Sequence, residues 1–362
     1  MRATIFVLLL ALVRPPADVC AQASAQTAES DWAALKSGDA DKAARLFRQA
    51  LSASPADPVL LLGAGIAAHQ LGDDRQAEVA LRKALKIRPG LTLASAVLGR
   101  IVYDAGDVDQ AIAIYARALK GVADEPEMHE QLERWRKEAQ LHAGFEQGGN
   151  GRFAIMFEGP EERALADHIS GVLETAYWNI GQRLNAYPAS TIEVMLYTQQ
   201  HFTDVTRSPD WAAGAYDGRI RLAVDGALNN RAALDRVVVH ELAHAMVQTL
   251  APRGVPAWLH EGLAVSFEPG EKPWVAQTLG QASSMIPLDS LKSGFSGLSN
   301  ADAQVAYAES AVAAGMIMKR LGPNLPAFLQ GLESTDSVDA GLVSFGFTTV
   351  DLERSLRAQM RK

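Results

Sequence analysis

Val237, Val238, Val239, His240, Glu241, Leu242, Ala243, His244, Ala245, Met246 and Val247 form one run, and Trp258, Leu259, His260, Glu261, Gly262, Leu263 and Ala264 follow shortly after. The first run falls in a helix expected from Asn230, a natural N-cap, to Leu250, and Pro256 opens a second helix after a five-residue turn. The later half of the first helix is apolar nearly all round, so the sequence predicts that it is buried. His240, Glu241 and His244 are set into it, and ionisable groups there need a partner or a bound ion to offset desolvation. His240 and His244 are four apart, one turn along one face, so their imidazoles can converge on a zinc ion with Glu241 beside them to handle water.

A third ligand follows from helix rise. From His244 to Leu250 the first helix advances roughly 9 Å, and from Pro256 to Glu261 an antiparallel second helix returns roughly 7.5 Å. Glu261 is therefore expected at the level of His244, turned toward both rings. Gly262 beside it is expected to let the two helices pack closely around the ion. Two histidines and one glutamate leave a fourth position open, as a catalytic zinc requires.

The residues His240, Glu241, Leu242, Ala243 and His244, sixteen intervening residues, and then Glu261 within Trp258 to Ala264 resemble the gluzincin metallopeptidases. The nearest likeness is the peptidase MA-like domain found behind signal peptides and tetratricopeptide repeats, with the thermolysin and zinc aminopeptidase groups more distant. The resemblance spans roughly residues 150–362 and is concentrated between Gly214 and Phe267. It implies that His240, His244 and Glu261 bind Zn2+, that Glu241 is the general base and then the proton donor to the leaving amine, and that Tyr307 stabilises the oxyanion. A buried core tyrosine is the other reading of Tyr307. The aminopeptidase group's exopeptidase motif is missing upstream of the zinc helix, which directs the expectation toward endopeptidase action.

Outward from this core, the chain has 362 residues, a formal charge of −8 from 34 Lys and Arg against 42 Asp and Glu, and 48% hydrophobic residues. That composition is globular. The acidic balance and the lack of a dense basic run argue against a nucleic-acid partner. Upstream, Gly38 and Asp39, Gly72 and Asp73, and Gly106 and Asp107 recur at a spacing of 34, with Ala43, Ala77 and Ala111, and Phe47, Leu81 and Tyr115, in step. This resembles the tetratricopeptide repeat. Glu125 to His142 reads as a helix capping the repeats with one wet face, and Gln147 to Gly151 as a linker.

At the N-terminus a basic start, an apolar run from Ile5 to Val13 and small residues around Ala21 read as a secretory signal peptide over 1–21, too short to span a bilayer. Cleavage there removes Cys20, the single cysteine. Asp18 and Val19 fit a lipobox poorly, which disfavours lipid anchoring at Cys20. The domain expectation is thus a signal peptide at 1–21, repeats with their capping helix at 24–143, and a gluzincin-type domain at 152–362. The fold class is α+β, an all-α solenoid followed by a small mixed sheet with helices.

The remaining candidates carry less. His260 sits about 100 degrees round the helix from Glu261 and reads as cleft lining or surface, not as a ligand. Arg219 and Arg221 fall in an expected strand, Gly218 to Val224, that resembles the edge along which gluzincins lay substrate; they read as solvent-facing edge guards or as contacts for substrate carboxylates. His69, His129, His142, His168 and His201 have no ligand-like spacing. Ser293 to Ser299 reads as a cleft cover or a plain loop. The expected function is an exported, periplasmic zinc endopeptidase whose repeat groove binds a protein partner. An envelope scaffold with a weakly active zinc domain, and a zinc amidase acting on a cell-wall peptide, fit the same residues.

Overall fold

A computed structural model describes residues 25–122, 124–159, 162–209, 212–225, 230–295, 297–335 and 337–360. The signal peptide expected at 1–21, with Cys20, lies outside the described residues. The chain divides into two compact units, meeting between Ala143 and Gly144.

The N-terminal unit is helical throughout: α1 (Ala25–Lys36), α2 (Ala40–Ala53), α3 (Pro58–Gln70), α4 (Asp74–Ile87), α5 (Thr92–Asp104), α6 (Val108–Ala118) and α7 (Pro126–His142). The Gly-Asp pairs explain the period. Gly38, Gly72 and Gly106 adopt positive φ of 79, 75 and 99 degrees, a left-handed stop that side chains resist. The next residue then works twice. The amides of Asp39, Asp73 and Asp107 reach back to the carbonyls of Ala34, Ala68 and Val102 at 2.9–3.1 Å, and their carboxylates cap the following helix by accepting from the amides of Lys42, Gln76 and Gln110. Close helix approach needs missing side chains. A Cβ on Gly99 would stand 2.3 Å from the Tyr115 ring, and one on Gly65 2.7 Å from Leu81. The last helix, α7, covers the array: Trp135 stacks on Tyr103 at 4.8 Å and leans on Tyr115 at 4.5 Å, and the Tyr103 hydroxyl donates to Glu138 at 2.6 Å.

The C-terminal unit holds one five-stranded sheet: β1 (Glu146–Gly149), β2 (Phe153–Phe157), β3 (Ile192–Tyr197), β4 (Gly214–Tyr216) and β5 (Ile220–Ala223), in the order β1-β2-β3-β5-β4. β2, β3 and β5 are parallel, and the outer strands β1 and β4 run antiparallel to their neighbours. α8 (Arg163–Leu184) makes the crossover from β2 to β3, and α9 (Gln199–Thr206) follows β3. The helix that carries His240 and His244 is α10 (Arg231–Leu250), capped as expected when the Asn230 side chain accepts from the amide of Ala233. After it come α11 (Ala257–Phe267), α12 (Pro273–Gln281), α13 (Asn300–Leu321), α14 (Leu325–Gly331), α15 (Val338–Val343) and α16 (Thr349–Met360). Ile169, Leu173 and Ile180 of α8 and Val238 and Leu242 of α10 share one buried core with Ile155, Val194 and Leu222 of the sheet. That packing seats α10 against both α8 and β5. Among the described residues no helix is long and apolar enough to cross a membrane.

Two expectations change. The expected linker is β1 and a hairpin turn: Glu146 pairs with Phe157 and Gly149 with Ala154. Gly149 has φ of 95 degrees, and Asn150 Oδ1 accepts from the amides of Arg152 and Phe153. Gly and Asn serve a tight turn as readily as a linker. The Arg219–Arg221 strand is not an edge, because β4 pairs outside it. α13 starts where Ser299 Oγ accepts from the amide of Asp302.

Candidate metal centre

α10 and α11 contribute partners in opposite order along the chain. His240 Nδ1 lies 2.9 Å from Glu268 Oε1 and His240 Nε2 3.3 Å from Glu261 Oε2, whereas one turn later His244 Nε2 lies 3.5 Å from the same Glu261 oxygen. The helices are therefore antiparallel, and Glu261 turns toward both rings. His240, His244 and Glu261 are the one group among the described residues whose ligand atoms, all within 4.8 Å of one another, can hold a metal ion.

Burial and charge act against each other here. Burial raises Glu261, but the imidazoles of His244 and His240 hold its carboxyl well below the usual range. Burial lowers His240, yet its bonds to Glu261 and Glu268 keep it up at about 10. Glu241 is buried beside them; desolvation raises its pKa against the opposing pull of His240 and His244. The site is thus a compact cluster of carboxylates and imidazoles in an apolar wall, the setting that a divalent cation relieves.

The other sequence candidates fall as follows. Tyr307 of α13 feels the cluster: the Glu261 charge, then burial, then Glu241 push its phenol well above the ordinary range. Its ring meets Phe295 edge-on at 4.9 Å, so the stretch Ser293 to Ser299 touches this part of the site; Ser296 lies outside the described residues. His260 lines the site, its Nδ1 lying 2.7 Å from Nδ1 of His244, and burial, aided by His244, drives it down to about 3. Arg219 and Arg221 are neither solvent-facing guards nor substrate contacts at an edge. Both are buried: Arg219 Nε donates to Glu193 at 2.7 Å, and Arg221 donates to Asp217 at 3.0 Å and to the Tyr197 hydroxyl at 2.7 Å. Gly262 faces α13, not α10, since a Cβ on it would stand 2.0 Å from the Ser310 carbonyl oxygen. His168 and His201 pair with Asp235 and Glu158, and His129 with the Val122 carbonyl.

Two features escaped the sequence reading. Glu268 is seven residues from Glu261, two turns along one face of the helix axis, a spacing that would have flagged it. Gly214 on the edge strand β4 lies over Glu241, with a Cβ there only 2.6 Å from Glu241 Oε1 and 2.6 Å from Val237 Cγ1. No spacing rule points to that approach.

Comparison with known families agrees with this anatomy. Tetratricopeptide repeat models match residues 34–89 and 75–134. A search of curated proteins gives no match. The Peptidase MA superfamily model matches residues 176–362, from the middle of α8 through both site helices to the end. That segment is more than half of the chain, and with its helical repeat region followed by a small mixed sheet and helices, this protein belongs to the Peptidase MA superfamily.

Proposed function

We propose that the C-terminal unit is a zinc-dependent peptidase, exported through the leader read at 1–21, and that the repeats recruit a protein partner or hold the substrate. One observation carries the reading: the single Glu261 oxygen stands 3.3 Å from His240 Nε2 and 3.5 Å from His244 Nε2. Zinc bonds of 2.0–2.2 Å in a tetrahedron place ligand atoms roughly 3.3–3.6 Å apart, so the donor types suit zinc and both Glu261–histidine spacings match it. Zinc held there supplies a Lewis acid that polarises a carbonyl and brings the pKa of water down to about 7.

The chain's own groups divide the remaining work. Glu241, raised by burial, is placed to take a proton from water and return it to the leaving amine. Tyr307 stays protonated because of the neighbouring carboxylates, so its hydroxyl is a donor for a developing oxyanion. Glu268 accepts from His240 Nδ1, which leaves the Nε2 lone pair free for metal.

Metal analysis with a peptide-library digest tests the reading. The purified chain should hold one equivalent of zinc and cleave peptides, and Glu241→Gln should keep the zinc while losing on the order of 10²–10⁴-fold in rate. Absence of zinc, or a Gln variant as active as the native chain, defeats it.

A further inference from the structure

His244 is held at both ring nitrogens. Nε2 faces Glu261 at 3.5 Å, and Nδ1 faces Nδ1 of His260 at 2.7 Å, with the ring centroids 4.9 Å apart and the two planes inclined by 28 degrees. Two ring nitrogens at that separation form a hydrogen bond only if one carries the proton and the other a lone pair. When Nε2 of His244 offers its lone pair to a metal, the proton sits on Nδ1. His260 must then accept through Nδ1 and carry its own proton on Nε2.

We infer that His260 is a positioning residue, which fixes the metal-binding tautomer and ring plane of His244 as Glu268 does for His240; this rests on the zinc reading above. The usual partners of a metal-bound imidazole are a carboxylate, a backbone carbonyl or water. Here one ligand leans on an anion and the other on a neutral ring. The centre therefore carries one negative charge fewer than two carboxylate supports would give it, which leaves a bound cation more electrophilic.

Side-chain geometry supplies the test. Asn places its Oδ1 where the imidazole Nδ1 sits, Gln places its oxygen a bond further out, and Phe keeps a flat ring but offers no acceptor. Zinc affinity of the full-length chain is measured by competition with a chromophoric chelator, alongside the visible absorption of the cobalt-substituted protein and thermal melts of the metal-free forms. His260→Phe and His260→Gln should each bind zinc about 10–100-fold more weakly and alter the cobalt band, while His260→Asn stays within about threefold of the native chain. If His260→Phe does not fold, the contrast between Asn and Gln decides alone. Native affinity in the Phe variant, or equal affinity in Asn and Gln variants, overturns the positioning role. A native chain that binds no zinc overturns the proposed function instead.

Discussion

Gly214→Ala separates chemistry from stability in this site. The added methyl would stand 2.6 Å from Glu241 Oε1, 2.6 Å from Val237 Cγ1 and 2.9 Å from Glu241 Cγ. Ordinary contact needs about 3.5 Å, so the Glu241 carboxylate, the free end of a flexible side chain, retreats by about 0.9 Å. Gly214 has no positive φ, so alanine brings no backbone strain of its own, and β4 is a three-residue edge strand that carries little of the core. A displacement of about 1 Å at a general base costs roughly 10²-fold in turnover. The three atoms nearest the added methyl belong to Glu241 and Val237, none of them to His240, His244 or Glu261. The variant should thus lose about two orders of magnitude in kcat with zinc content unchanged, and its Tm should fall by no more than a few degrees. Peptide cleavage followed by mass spectrometry, metal analysis and a melt measure the three quantities. Activity within threefold of the native chain, at full zinc occupancy, would show that Glu241 is not positioned as argued.

Other expectations follow from the same contacts. Trp135→Ala removes a ring stacked between Tyr103 and Tyr115 and should destabilise the repeat unit by about 3–5 kcal/mol in denaturant unfolding; an effect below 1 kcal/mol refutes the capping role of α7. The fully buried Glu309 is lifted to about 7 by burial, against the pull of the Ile286 amide and with the push of Glu353. A raised carboxyl pKa means that the folded chain binds more protons than the unfolded one between about pH 4.5 and 7, so stability should fall as pH rises through that window, by about 1–2 kcal/mol after allowance for screening, and Glu309→Gln should flatten the profile. With His240 held at about 10 by Glu261 and Glu268, the metal-free site carries an imidazolium at neutral pH. Zinc uptake should release about one proton, read by calorimetry in buffers of different ionisation enthalpy, and no release would contradict the assigned ligand set.

What was legible in the sequence is what local geometry determines. The four-residue step from His240 to His244 is a property of any α-helix, and the return of Glu261 required only two rises and a short turn. The repeats were equally open to reading, because each Gly-Asp pair encodes its own left-handed stop and its own cap without help from distant residues. The Gly-rich run at 147–151 failed for the converse reason. A linker and a hairpin turn ask for the same residues, and the deciding partner, β2, lies beyond the run. Arg219 and Arg221 failed likewise: alternating charges fit an exposed edge until Glu193, Asp217 and Tyr197 arrive to pair with them and β4 takes the edge.

Gly262 carries this distinction into the site. A glycine after the third ligand was expected to admit α10, yet the space it leaves is filled by α13, whose Ser310 carbonyl would stand 2.0 Å from a Cβ at that position. Ser310 is three residues from Tyr307, one helical turn, and Gly262 is next to Glu261. One close backbone contact therefore sets the register between the carboxylate of the candidate metal centre and the phenol whose pKa that carboxylate raises. Burial of the α11–α13 interface, with Leu263, Ala264, Ala313 and Ala314 in one core, helps to hold that register. Small residues at the interface thus do for the distance between Glu261 and Tyr307 what helical spacing does for His240 and His244, and only the second of these can be read from spacing along the chain.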